Sequence, residues 1–440
     1  MSLYERRKEM KESMKRIVML LAALSVMMTA LPSFAADSVT RIVFWHSMSD
    51  DAGIALARMV GEFNETVGKE KGIAVEAVFQ GKYSDATSKM NNILSAGNFG
   101  ELPDVMNMDA TGKVNYYTSG KAYTADAAAA DDPTWDFDEY LEIALNNWAF
   151  SGVRLGIPFA ASTTLMFYNK DLIPEAPETF ADIAALAGLP GTRAVYAAVP
   201  DTPTLANWLG QLGSYVVDHR NGSEATAEKL DCLENGALVM FLTAWRDLYA
   251  SGALLNESGS TDAFAVGDLA ILTTSSSNIA SLLAKTEGHF ELGVAFYPRV
   301  SETAAPGATV SGSCLVMFDN GDDARKSASR EFVRWMTGPE AQAEFAAETG
   351  YIPANKAAAE TDTYRKLIAE HPQYAVGPEQ LAATPAEMRS VTVGPAIDFY
   401  YAIQNNVMDM LDNGTEPVEA AGIMADELQG LLDQYLRNNR

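Results

Sequence analysis

TRIVFWHSM at Thr40–Met48, DDAGIALARMVGEFNE at Asp50–Glu65, IAVEAVFQG at Ile73–Gly81, YSDATSKMNNILSAG at Tyr83–Gly97 and LPDVMNMD at Leu102–Asp109 decide the fold. The first is a β-type run that ends in a turn. In the second, Ile54, Leu56, Ala57, Met59, Val60 and Phe63 recur at helical spacing. The third alternates like a strand, the fourth reads as a helix stopped by Gly97, and the fifth is a strand again. Strand and helix alternate three times in about 70 residues, the pattern of an α/β layer with a mostly parallel sheet. Ligands of such sheets bind beyond the carboxyl ends of the strands. Those ends fall at Trp45-His46-Ser47, Gly81-Lys82-Tyr83 and Asp109-Ala110-Thr111.

Upstream of this block, a basic stretch with Arg6, Arg7, Lys8, Lys11, Lys15 and Arg16 precedes the apolar run IVMLLAALSVMMTALP at Ile17–Pro32. Small residues follow at Ala35-Ala36. A charged start, an apolar middle and a small-residue cleavage site make an export signal over residues 1–35. The apolar run is shorter than the ~20 residues a bilayer core requires, and it stops at a proline. Roughly 400 residues then remain, more than one hydrophobic core serves, so two lobes are expected.

Downstream, LGIPFAASTTLMFYNKDL is a strand-like run with a polar centre, followed by helical stretches around Trp208 and Trp245. FAVGDLAILTTSSSNIASLL gives a strand, a Ser/Thr-rich turn and a helix; GVAFYP and SGSCLVMF are strand-like, and the remainder is rich in helix. No repeat or linker separates the lobes, so the chain is expected to cross between them more than once.

The formal charge is −26, with the basic leader included. Such a field argues against nucleic acid or an anionic membrane surface as partner. An anionic ligand must instead be held by local dipoles and one or two placed cations. Cys232 and Cys314 are the only cysteines, and Cys314 within SGSCLVMF reads as a buried free thiol.

Several constellations bear on chemistry. Hydroxyls and N–H groups of TTSSSN, Thr273–Asn278, could hold an anion or a polyol, or simply cap a helix. Ser162, Thr163 and Thr164 interrupt an apolar strand; buried, they need partners that a ligand could supply, whereas a strand edge would leave them in water. Trp45, Tyr83, Trp208 and Tyr351 stand beside turn signals, where an aromatic could stack on a sugar ring or simply pack. Arg389, in AEMRSVTVGP, is one of few cations near a Gly/Pro turn. The four histidines, His46 among them, lack metal-ligand spacing, and no nucleophile elbow, phosphate-binding loop or zinc motif occurs. An Asp109–His46–Ser162 trio has no local support. No enzyme activity, metal or cofactor is expected.

Taken in order, these residues resemble the extracellular solute-binding proteins that feed ABC importers of sugars and sugar phosphates, and within them the glycerophosphate-binding branch. The stretches that carry the resemblance are FWHSM (Phe44–Met48), GKY (Gly81–Tyr83), FAASTTLMFYNKD (Phe159–Asp171), GDLAILTTSSS (Gly267–Ser277), SGSCLVM (Ser311–Met317) and TGYIPANKAA (Thr349–Ala358). The resemblance implies an α/β, two-lobed periplasmic-binding-protein-like fold of type II, with a sheet in each lobe and hinge crossovers. The expected lobes are 36–159 with 293–336 and 160–292 with 337–440.

It also implies ligand contacts by Tyr83, Ser162, Ser275, Gly312, Tyr351 and Arg389, with Trp45, His46 and Trp208 as further candidates. The branch has a glutamate at the end of its third strand; here the gapless position is Ala110, with Asp109 immediately before it. The implied partners are a small ligand and membrane permease subunits, with the protein acting as an exported monomer. Glycerol-3-phosphate or a glycerophosphodiester is the leading ligand. A neutral sugar or oligosaccharide is the alternative, and an exported sugar-ester hydrolase the reading from another class.

Overall fold

The computed structural model describes residues 39–110 and 112–438. The expected leader, residues 1–35, lies outside them, as does Thr111.

Strands β1 (Thr40–His46), β2 (Ile73–Phe79) and β3 (Val105–Met108) are the three runs that open the sequence block. β1 pairs in parallel with β2, from Thr40↔Ile73 to His46↔Phe79, and with β3 through Phe44↔Val105. As the middle strand, β1 is covered on both sides, which is why its centre, Ile42 to Trp45, is all apolar. Ile42 and Phe44 point to one side, where Phe44 meets Phe332 edge-on at 5.2 Å. Trp45 points to the other and packs with Met90 and Met106. The start of β3 is fixed by Asp104, 1% exposed. Its carboxylate accepts from Val43 N at 2.7 Å, Asn320 Nδ2 at 2.7 Å and Arg325 Nη2 at 2.6 Å.

The chain continues through β4 (Ala122–Tyr123) and the hairpin of β5 (Ala149–Phe150) and β6 (Val153–Arg154) into β7 (Gly156–Asn169). Then follow β8 (Ala194–Ala197), β9 (Leu254–Leu255), β10 (Leu269–Ser275), β11 (Leu292–Ala295), β12 (Val310–Phe318) and β13 (Ile352–Pro353). One sheet of 11 strands runs β2-β1-β3-β12-β7-β10-β8-β9, with β4, β11 and β13 as side branches. β8 pairs in parallel with both β9 and β10, so each end of the sheet is parallel. β12 and β7, which join the two ends, are antiparallel to each other and to their neighbours. β12 arrives from a distant part of the sequence, and this is the crossover the unlinked lobes required.

β7 belongs to both halves. Residues up to Thr163 pair with β12, the last pair being Val310↔Thr163, whereas Thr164 already pairs with Ser275 of β10. The change of partner therefore falls at Thr163/Thr164. β11, which ends at Ala295, pairs with the second half of β7. The helix Pro339–Thr349 serves both halves, giving Ala341 and Phe345 to the first core and Ala343 and Ala346 to the second.

Candidate functional site

The joint in β7 is tied by a closed set of polar contacts. Buried Gln380 donates from Nε2 to Thr163 Oγ1 at 2.8 Å and to the Thr164 carbonyl at 2.9 Å, while its Oε1 accepts from Tyr297 N at 2.6 Å. Thr163 N donates to Ser276 Oγ at 3.3 Å. Of the three hydroxyls in the β7 centre, Thr163 is thus structural. Its neighbour Ser162, 3% exposed, projects the other way, and its Oγ engages no group among the described residues. Alternation along a strand is enough to separate the two roles.

Around Ser162 the chain gathers several of the sequence-selected residues. Ser311 and Gly312 of β12 lie opposite Ser162 and Ala161. Gly312 has φ +97°, and a Cβ there would sit 1.9 Å from the Ala160 carbonyl oxygen, so the close approach of β12 to β7 requires glycine. Ser275, at the end of β10, holds Ser277 through an Oγ–Oγ contact of 2.9 Å. Ser277 in turn lies near the phenol of Tyr351, whose ring stacks on Phe345 at 5.6 Å. Ile352, beside Tyr351, pairs with Ala161. The TTSSSN turn and the TGYIP turn therefore meet at the joint.

Tyr83 closes the group from the first half, at the start of the helix Tyr83–Ala96. Asn107 Nδ2 donates to Ser313 Oγ at 2.7 Å, and Ser313 lies near the Tyr83 phenol. Among the described residues the Tyr83 hydroxyl donates to the thioether of Met48, at 3.9 Å, a weak acceptor. Burial first, then the electrostatic influence of Tyr351, Asp109 and Cys314, pushes the Tyr83 phenol far up, so it acts only as a neutral hydrogen-bonding group. Burial likewise pushes up the thiol of Cys314; both cysteines are buried and free.

Asp109 lies on the wall of a cleft of about 770 Å³. Ser84, Thr87, Ser88 and Asn91 of the Tyr83–Ala96 helix line one side, and the segment Thr392–Asp398 with Tyr435 lines the other. The remaining sequence-selected residues are off this wall. Arg389 lines a smaller recess with Asn147, Thr309, Val310 and Ser390. Its Nη1 donates to the Ala386 carbonyl, and its own carbonyl accepts from Asn221 Nδ2 at 2.7 Å.

Three selected residues do not join the group. Trp208, 1% exposed, stacks between Phe241 and Tyr297 at 5.2 and 5.1 Å and donates from Nε1 to the Pro298 carbonyl. Both indole faces are covered, so Trp208 packs a core rather than a ligand. Trp45 is buried in the first half, with Lys89 Nζ 4.0 Å over its ring. His46 lies between Phe44 and Phe79, and burial lowers its pKa.

One residue near the group was not singled out from the sequence. Lys113, at the start of the helix Lys113–Thr118, is buried and within electrostatic reach of Cys314 and Arg389. Only its place just after a third-strand end marks it in the sequence.

The family model for bacterial extracellular solute-binding proteins matches residues 58–374. The chain is 25% identical over 386 residues to the sn-glycerol-3-phosphate-binding periplasmic protein UgpB of Yersinia pestis bv. Antiqua, covering 82% of this chain and 85% of that one. Its fold is similar to UgpB from Mycobacterium tuberculosis in complex with glycerophosphocholine, with a TM-score of 0.73 and 20% identity over 91% of this chain and 100% of that one. It is also similar to the cyclic α-maltosyl-1,6-maltose binding protein from Arthrobacter globiformis, with a TM-score of 0.74 and 17% identity over 90% and 100%. The described residues thus form the fold of periplasmic sugar-binding proteins, and the protein belongs to the family of bacterial extracellular solute-binding proteins.

Proposed function

We propose that this protein is the exported, monomeric solute-binding component of an ABC importer, and that it closes by a hinge on a glycerol phosphate or glycerophosphodiester. Residues 1–35 are its leader, and its membrane partners are the permease subunits. The likeness to the UgpB proteins supports the reading. One observation carries it: the unengaged Ser162 hydroxyl, the Ser275–Ser277 pair and two neutral tyrosines meet where β7 passes between the halves. The lobes are 36–159 with 293–336 and 160–292 with 337–440, and the partner change within β7 supports a joint close to the first of these limits.

In this reading Ser162, Ser275, the Gly312 N–H and Arg389 hold the phosphate oxygens. The planar fork of arginine suits such oxygens and gives charge-assisted bonds. Tyr83, Tyr351 and Asp109 take the glycerol hydroxyls. Closure expels water, so these bonds strengthen in the closed state, which the ligand selects and the permease recognises.

The test is calorimetric titration of the purified protein and its Arg389→Ala variant with glycerol-3-phosphate, glycerophosphocholine and maltose. Loss of a charged hydrogen-bond partner is expected to weaken the phosphate esters by about 10- to 100-fold. Unchanged affinity overturns the phosphate assignment. The second reading, a neutral sugar, is favoured by the carboxylate of Asp109 on the cleft wall and by Tyr351, held flat on Phe345. In that case maltose binds and Arg389→Ala leaves its affinity unchanged.

A further inference from the structure

Among the described residues Lys113 is the one buried lysine or arginine, and the site above makes no use of it. It is 1% exposed, and its Nζ donates to the Asn147 carbonyl at 3.1 Å. A carbonyl offers a partial charge and no counter-ion. Among the described residues no carboxylate lies within ion-pair distance of Lys113, and none of Arg389. Asn147 and Arg389 line the same recess, so the ammonium is held by a residue that shares a recess with Arg389.

Two cations within electrostatic reach of each other repel. Burial first and Arg389 next lower the pKa of Lys113 to about 8. The chain has 58 acidic side chains against 32 basic ones. Carboxylates are plentiful, yet none pairs with either cation here. A buried ammonium without a counter-charge is costly unless something negative joins it.

We infer that Lys113 is the second cation of the anion site, binding together with Arg389 the phosphate group of the ligand. The inference rests on the proposed function for where the ligand sits and adds the charge it carries. A phosphomonoester bears about −1.5 to −2 at neutral pH and so balances two cations. A diester bears a single charge and balances one. The matched class is therefore the monoester.

The decisive variant is Lys113→Met, similar in length and without charge, examined by thermal melting and by titration with the same three ligands. It is expected to melt no lower than the wild type. It should lose at least about tenfold in affinity for glycerol-3-phosphate, less for glycerophosphocholine, and nothing for any maltose affinity the wild type has. Lys113→Gln, which keeps a donor for the Asn147 carbonyl, provides the same reading if the methionine variant fails to fold. Wild-type affinity for glycerol-3-phosphate in these variants overturns the role of Lys113 and leaves that of Arg389 standing. Lower melting with an equal loss for all three ligands makes Lys113 structural and also overturns it. A wild type that binds neither phosphate ester removes the proposed function and this inference with it.

Discussion

Asp104 and Lys113 are both ionisable, both 1% exposed and only a few positions apart, yet their surroundings are opposite. Asp104 receives three hydrogen bonds, one from a guanidinium, and the donors come from two distant parts of the chain, Val43 and the pair Asn320 and Arg325. Lys113 has one neutral oxygen and a second cation nearby. Burial costs a charge its hydration in either case. In the first the protein returns the whole shell, and the residue locks β3 to β1 and to the helix Asp323–Met336. In the second it does not, and one neutral oxygen is all the charge receives. A buried charge supplied in full reads as architecture, and one supplied in part reads as a binding site.

The contrast breaks most visibly at Asp104. Asp104→Ala strips the Val43 N–H, the Asn320 amide and Arg325 of their acceptor at once. It is expected to lower unfolding stability by about 3 kcal/mol, checked by urea denaturation; the partly exposed Arg325 keeps the loss at the low end for a broken buried pair. Lys113→Met should act in the other direction. The ammonium's pKa in the folded protein, about 8, lies below its ordinary 10.5, so the unfolded chain binds more protons between these values. The wild-type penalty is complete below pH 8 and relaxes as the pH rises toward 10.5. The difference in stability between variant and wild type, up to about 3 kcal/mol at pH 7, should therefore shrink across that window.

Ligand affinity should follow the same proton. Arg389 stays charged, the Cys314 thiol, raised by burial, stays neutral, and a phosphomonoester is already a dianion above pH 7. Affinity for glycerol-3-phosphate is then expected to fall about tenfold between pH 7 and pH 9 in the wild type and to stay flat in Lys113→Met. The smallest effect separates the neighbours on β7. Ser162→Ala removes a hydroxyl with no partner among the described residues, so stability should move by no more than about 0.5 kcal/mol. Its affinity for the phosphate ester should drop about fivefold, as for one neutral hydrogen bond.

Much of this was legible in the sequence because it depends on local pattern. β1, β2 and β3 and the helices between them follow from apolar periodicity and from Gly97. The TTSSSN turn follows from a strand running into hydroxyls. Trp208 was misleading because Gly210 beside it reads as a turn. It belongs instead to the buried Leu205, Trp208 and Leu209 stripe of the helix Thr202–Gln211, and that i, i+3, i+4 spacing was there to be read. Trp45 faces inward because β1 is covered on both sides, which depends on neighbours far along the chain. Lys113 could not be read. Its burial is made by Asn147 and its repulsion by Arg389, and both contacts exist only after the chain has folded back twice.

β7 carries one further consequence. A group at the axis of a rotation scarcely travels, while groups out along the arms sweep through a wide arc. Ser162 sits one residue from the point where β7 changes partners, so in the proposed closure it would stay nearly still while Tyr83 and Arg389 move. In that proposal the serine would be the dock at which an incoming molecule is first moored, and the distant side chains would arrive afterwards as the door shuts behind it.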